Sequence, residues 1–318
     1  MMRMRVLVPV AAALLCMPAL SAGQGQAESD DDWAVPRTAD GRPDLQGVWD
    51  YRTITPLERP ESVAGREFLT PEEVADLEAR ALDRNTDEAR PESAARDVSG
   101  AYNDFWWDRG QRVVPTGRTS LVVHPPDGRI PYLDRAASSR RTPRGYDGPE
   151  SRNLWERCLT RALPRLSGAY NNNFQIVQSA GTVAVINEMI HEVRLIPIDG
   201  GVHADAKIRQ WAGDSRGHWE GDTLVVDTTN FSDKTTFRGS GANLHLVERF
   251  TRAGEGTLLY EFTVDDTTAW RTPWTAEFPI AKNDALIYEY ACHEGNYGMV
   301  NLLRGARVQE REALLGTR

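Results

Sequence analysis

The chain has 318 residues, with 46 acidic side chains against 37 Lys and Arg and a formal net charge of −9. That acidic balance suits neither nucleic acid nor an anionic membrane surface, both of which attract basic faces. The length allows one large domain or two smaller ones.

Met1-Met-Arg-Met-Arg5 is a short basic stretch, and residues 6–20 are apolar over about the length of a signal-peptide core. The run is short for a bilayer-spanning helix. Small residues at Ser21, Ala22 and Gly23 offer a peptidase site, so residues 1–22 read as an export signal. The mature chain is then expected in the periplasm or secreted. Loss of Arg3 and Arg5 with the leader takes the net charge to −11. Cys16 follows Leu15, whereas a lipidated cysteine needs a small residue just before it, so no lipid anchor is expected. Nothing else is long and apolar enough for stable membrane insertion. Residues 23–36 read as a disordered, acidic tether, and residues 37–318 as one β-rich domain.

In Arg37-Thr-Ala-Asp-Gly-Arg-Pro-Asp-Leu-Gln-Gly-Val-Trp49, turn residues give way to the apolar start of a strand. Thr70-Pro-Glu-Glu73 is a helix start: Thr70 can cap, Pro71 suits the first turn, and Glu73 completes a capping box. Val74, Leu77 and Ala81 continue one apolar stripe. The surrounding residues, about 68–165 and at the widest 60–165, read as a helical and loop insertion. Within it, Trp106 and Trp107 form an aromatic cluster that anchors the insertion or walls a ligand pocket. Residues 119–124 read as a strand, and residues 135–152 as a long loop whose arginines (Arg135, Arg140, Arg141, Arg144, Arg152) are solvated or receive an anion. Residues 151–163 read as a short helix ended by Pro164.

From Phe174 onward the pattern is β. Expected strands cover 174–178, 182–197, 206–212, 223–228, 244–251, 258–264, 274–280 and 286–293, separated by glycine turns that include 213–217 and 220–222. Asp214, Asp222 and Asp227 read as turn residues, at a spacing that matches no calcium loop. Strands at this spacing favour an antiparallel sandwich or barrel, and a closed barrel is the favoured form.

The chain resembles a family of exported bacterial proteins of undetermined function. The resemblance rests on the Arg37–Trp49 run above, Tyr170-Asn-Asn-Asn-Phe-Gln-Ile-Val177, Gly217-His-Trp-Glu-Gly-Asp-Thr-Leu-Val-Val-Asp227 and Tyr290-Ala-Cys-His-Glu-Gly-Asn-Tyr297. It supports export and carries over no chemistry. The Gly47-x-Trp49 triplet also resembles the first strand of lipocalin-like barrels, which is analogy for the fold alone.

Cys158 and Cys292 remain after the leader, and in an oxidising compartment the pair is expected as one disulfide, with two free thiols the alternative. Strand alternation sorts the polar residues. In 286–293, Tyr288, Tyr290 and Cys292 share one face, and Glu289 and His293 the other. Next come His245, Val247 and Arg249 opposite Leu246 and Phe250, with Glu248 among the apolar residues, and Glu261 opposite Tyr260 and Phe262. Either the charged face is solvated, as in many antiparallel sheets, or it lines a cavity.

The expected function is binding of a small, partly apolar organic molecule. Trp106, Trp107, Tyr170, Tyr288 and Tyr290 would supply surface, and Arg249, Glu261 and the histidines polar contacts. The alternative is an acid–base enzyme, a lyase, isomerase or hydratase, using His293, Glu294, His245, His191 and Glu289. A structural or interaction module of the cell envelope is the third reading. No cofactor is expected. A metal held by His191, His245 and His293 is the minor possibility.

Overall fold

Period-2 alternation places every second side chain on one face, so a strand with alternate apolar residues needs one face covered. The computed structural model, which describes residues 33–84, 110–133 and 146–316, answers this with one antiparallel sheet. Among the described residues its strands are β1 (Gly47–Asp50), β2 (Val122–His124), β3 (Asn173–Gln178), β4 (Thr182–Asn187), β5 (Val193–Pro197), β6 (Asp214–Glu220), β7 (Thr223–Thr229), β8 (His245–Gly254), β9 (Thr257–Asp265) and β10 (Trp274–Asn283). The order is β5-β4-β3-β1-β10-β9-β8-β7-β6, with β2 also paired to β10. Two helices are described, α1 (Pro71–Arg84) and α2 (Tyr297–Leu314).

The registers stack the core in rows. Val226 lies opposite Glu248, Glu248 opposite Phe262, and Phe262 opposite Ala276. All four are buried. On β9 alone Leu258, Tyr260, Phe262 and Val264 are withdrawn from water, each contributing roughly 1.5–3 kcal/mol. Trp274 packs edge-on against Phe262 and Trp270. The Arg252 guanidinium lies 5.0 Å over the Trp49 ring and donates to the carbonyls of Gly254 and Asp44 (2.9 Å each), sealing one side of the interior.

The sheet curls but stays open, since no ladder joins β5 to β6. The edges still approach through side chains: a Cβ on Gly217 of β6 would lie 2.4 Å from Ile198 Cδ1 and 2.9 Å from Ile196 Cγ2. Residues 213–217, expected as a turn, are therefore mostly strand. Gly217 is what lets β6 lie this close, and Asp214 and Asp227 sit in strands β6 and β7 rather than turns.

Other expectations are also revised. The run 182–197 breaks into β4 and β5 at a 3-10 turn over Met189–His191, where Ile190 has φ 64°. Residues 206–212 hold only a bridge from Gln210 to Phe231. Residues 286–293 form no strand and add to neither edge of the sheet, which ends at β5 and β6. The division of Tyr288, Tyr290 and Cys292 from Glu289 and His293 by strand face falls with it. The helix at 151–163 is replaced by turns, with Cys158 at φ 58° and Ala162 at φ 62°.

The disulfide forms between Cys158 and Cys292, with Cα atoms 5.7 Å apart across 134 residues. Such a crosslink is compatible with an exported protein. Among the described residues no helix is long and apolar enough to cross a membrane.

Candidate functional site

The segment that replaces the expected helix makes a recess. Leu163 drops into the core, leaving Arg161 and Arg165 beside it. Asn172 fixes the following loop: its Oδ1 accepts from Gly168 N at 2.6 Å, and its carbonyl accepts from Tyr51 N at 3.0 Å. Gly168 has a specific reason, since a Cβ there would stand 2.8 Å from Arg161 Nη2. Across the recess Arg238 sits at φ 50° on a tight turn. That turn is anchored by Phe237 stacked on Trp274 (6.0 Å) and by Ser240 Oγ donating to buried Asp266 (2.6 Å).

The recess has a volume of about 240 Å3, and its wall includes Tyr51, Arg161, Arg165, Tyr170, Met189 and Arg238. Apolar surface comes also from Pro164, Leu166 and Phe237. Arg165 is neutralised by an ion pair with Glu192, which also accepts from Thr160 Oγ1 at 2.7 Å. Among the described residues neither Arg161 nor Arg238 has a carboxylate partner. Arg161 is exposed as a residue, yet partial loss of water around its guanidinium lowers its pKa, and neighbouring Arg165 adds to this while the phenol of Tyr51 opposes it. Tyr51 is 4% exposed and its phenol makes no hydrogen bond among the described residues. Burial raises its pKa, with Arg165 and Arg161 opposing and the Glu188 and Asp50 carboxylates adding to it, so the phenol is a neutral donor at ordinary pH.

Tyr51 and Arg165 also border a second, deeper space. There Arg194 pairs with Glu248, whose other oxygen accepts from the Tyr260 phenol at 2.8 Å. Burial pushes the Tyr260 pKa well above its ordinary value, and Glu248 adds to it. This space measures about 10 Å3, room for about one water molecule. The sheet interior is therefore too small for an organic molecule, whereas the recess measures about 240 Å3.

The disulfide gathers several of the residues singled out from sequence. Tyr290 stacks on Tyr170 with centroids 6.2 Å apart. His191 and His293 have ring centroids 6.2 Å apart, and His191 Nδ1 lies 3.0 Å from the Tyr290 carbonyl. The Tyr288 backbone N–H donates to buried Glu188 at 3.0 Å, while the Tyr288 ring, Glu289 and Glu294 are exposed.

The rest lie elsewhere. His245, Arg249 and Glu261 project from the face opposite the buried one and line neither space. Arg249 pairs there with Glu220 (2.8 Å) and Glu261 (3.9 Å). His245 is held by Asp227 (2.7 Å), Asp227 by His203 (2.8 Å), and His203 by Asp214 (2.9 Å). The Asp227 hydrogen bond holds the His245 pKa above the ordinary imidazole value, against partial burial. Burial works against the Asp227 charge, but His245 and His203 hold its pKa below the ordinary carboxylate value. His245 thus stands apart from the His191–His293 pair, and the three-histidine metal site does not assemble. No group of three or more potential ligands suited to a metal occurs among the described residues. Trp106, Trp107, Arg135, Arg140, Arg141 and Arg144 lie outside the described residues. Arg152 is buried, paired with Glu156 at 3.0 Å and 5.3 Å over Tyr146, which is a structural use.

Sequence reading missed Tyr51, Arg161, Arg165 and Arg238. The available signal was the pair of arginines flanking Leu163-Pro164, followed closely by Tyr170-Asn-Asn-Asn. The chain matches no protein-family model, and no match was found among curated proteins or solved structures.

Proposed function

We propose that the mature chain is an exported, barrel-like protein that binds a small, partly apolar organic molecule in the recess beside Tyr51 and Tyr170. One observation carries this reading: a 240 Å3 recess in which unpaired polar groups face an apolar wall. Volumes just above this are ordinary for small-molecule sites, which pair mostly apolar lining with a few fixed polar groups. Backbone strain supports it. Ala162, Asn171 and Arg238 all line the recess and all have positive φ, and Ile190 and His191 follow Met189 in the same conformation. Such conformations cost about 1–3 kcal/mol each and concentrate at ligand sites. The curl of the sheet supports the barrel-like description, and the N-terminal leader, the disulfide and the resemblance to exported proteins support export.

An acid–base enzyme in the same place draws less support. His191 and His293 are exposed, lie outside the recess lining, and have no carboxylate contact among the described residues.

The test is to fill the recess. Thr236 is exposed at its rim, so Thr236→Trp should keep the melting temperature and abolish binding of any small molecule found by a fragment screen on the wild type. Undiminished binding in that variant overturns the reading.

A further inference from the structure

We infer that the recess selects organic carboxylates, with the Arg161 guanidinium as the anchoring cation and the Tyr51 phenol as a second donor. This rests on the ligand-binding reading above. Three arginines meet at one recess, and only Arg165 has an acid beside it. Glu188 and Asp50 are near enough to act on Tyr51, but among the described residues neither forms an ion pair with Arg161 or Arg238, which leaves two cations at the recess for a ligand to pair. Arg161 and Arg238 are both exposed to solvent at the recess, but the Arg161 guanidinium also lies close against Gly168 and near a second guanidinium. The arrangement is held by a disulfide, by Asn172 and by the Phe237 anchor, so its cost is met on folding and not on binding.

A carboxylate matches a guanidinium through two parallel, charge-assisted hydrogen bonds. It would relieve the Arg161–Arg165 repulsion and give the buried Tyr51 phenol an acceptor. A bare inorganic anion could do the same but would leave the surface of Leu166, Met189 and Phe237 unfilled. The ligand class that uses both halves is a carboxylate on a small apolar or aromatic body.

The test titrates the mature, oxidised chain with aryl and alkyl carboxylates, phenylacetate among them, each matched with its neutral amide. The wild type should bind the acids about tenfold or more tightly than the amides, the scale expected for a charged hydrogen bond, with the margin shrinking as salt rises. Arg161→Gln should erase the margin while leaving amide affinity in place. The same variant should melt no lower than wild type, because it removes a repelled cation that has no acid partner. Equal affinity for acids and amides in the wild type, or a margin that survives Arg161→Gln, overturns the carboxylate inference alone. If no pair binds, or Thr236→Trp binds as well as wild type, the ligand-binding reading itself fails.

Discussion

Two polar regions of this molecule carry similar residues and differ in how they are completed. On the outer face of β7–β9, His203, Asp227 and His245 form a chain, and Arg249 lies between Glu220 and Glu261. Each cation there has its acid. At the recess, among the described residues, Arg161 and Arg238 have none and the Tyr51 phenol makes no hydrogen bond. A polar face is therefore not a site by composition. What singles out the recess is an unfinished set of charges, held in a concave place beside an apolar wall.

The sharpest challenge to this contrast concerns the buried pair in the deeper space that Tyr51 and Arg165 also border. Glu248→Leu leaves Arg194 buried without its acid, which should cost about 3–5 kcal/mol in urea unfolding. Adding Arg194→Met should restore most of the loss. If the single variant were as stable as wild type, burial would not make charge pairing decisive here, and the contrast would weaken. The disulfide comes next. Cys158→Ser with Cys292→Ser should lower stability by roughly 2–4 kcal/mol. It should speed hydrogen exchange around Tyr170 and Tyr290 before that of β7–β9. Equal loosening of both regions would mean that the crosslink does not organise the recess selectively.

The smallest effect belongs to the outer face. The raised His245 pKa means its pairing with Asp227 contributes fully below the ordinary imidazole pKa and is lost as pH rises through the raised value. The lowered Asp227 pKa means its share is lost as pH falls through that value. His245→Gln should therefore lower the melting temperature at pH 6 and leave it nearly unchanged at pH 9. A pH-independent loss would indicate packing instead of the ion pair.

Local chemistry was legible without coordinates. The Thr70–Glu73 capping box forms as expected, with Thr70 N donating to Glu73 Oε2 at 2.9 Å and Glu73 N to Thr70 Oγ1 at 3.2 Å. Alternation in β8 and β9 divided Leu246, Phe250, Tyr260 and Phe262 from His245, Arg249 and Glu261, and the fold settled that the first set is buried and the second faces outward. The disulfide was the simplest expectation for the two cysteines that lie beyond the N-terminal apolar run. These features depend on neighbours in sequence or on simple counting.

Tertiary structure decided the rest. The alternating run before His293 is no strand: alternation shows that a segment could pair, and only the fold decides whether it meets a sheet edge. Residues 213–217 look like a turn yet become an edge strand, because Gly217 fits beneath Ile196 and Ile198. The recess was least legible of all. Its tyrosines and arginines come from positions 51, 161–170 and 238, and no periodicity links segments that meet only when the sheet curls. The sequence by itself determined which residues want burial and which local turns and caps they can make. Only the folded sheet decided which charges would find partners, because pairing is a property of distances through space.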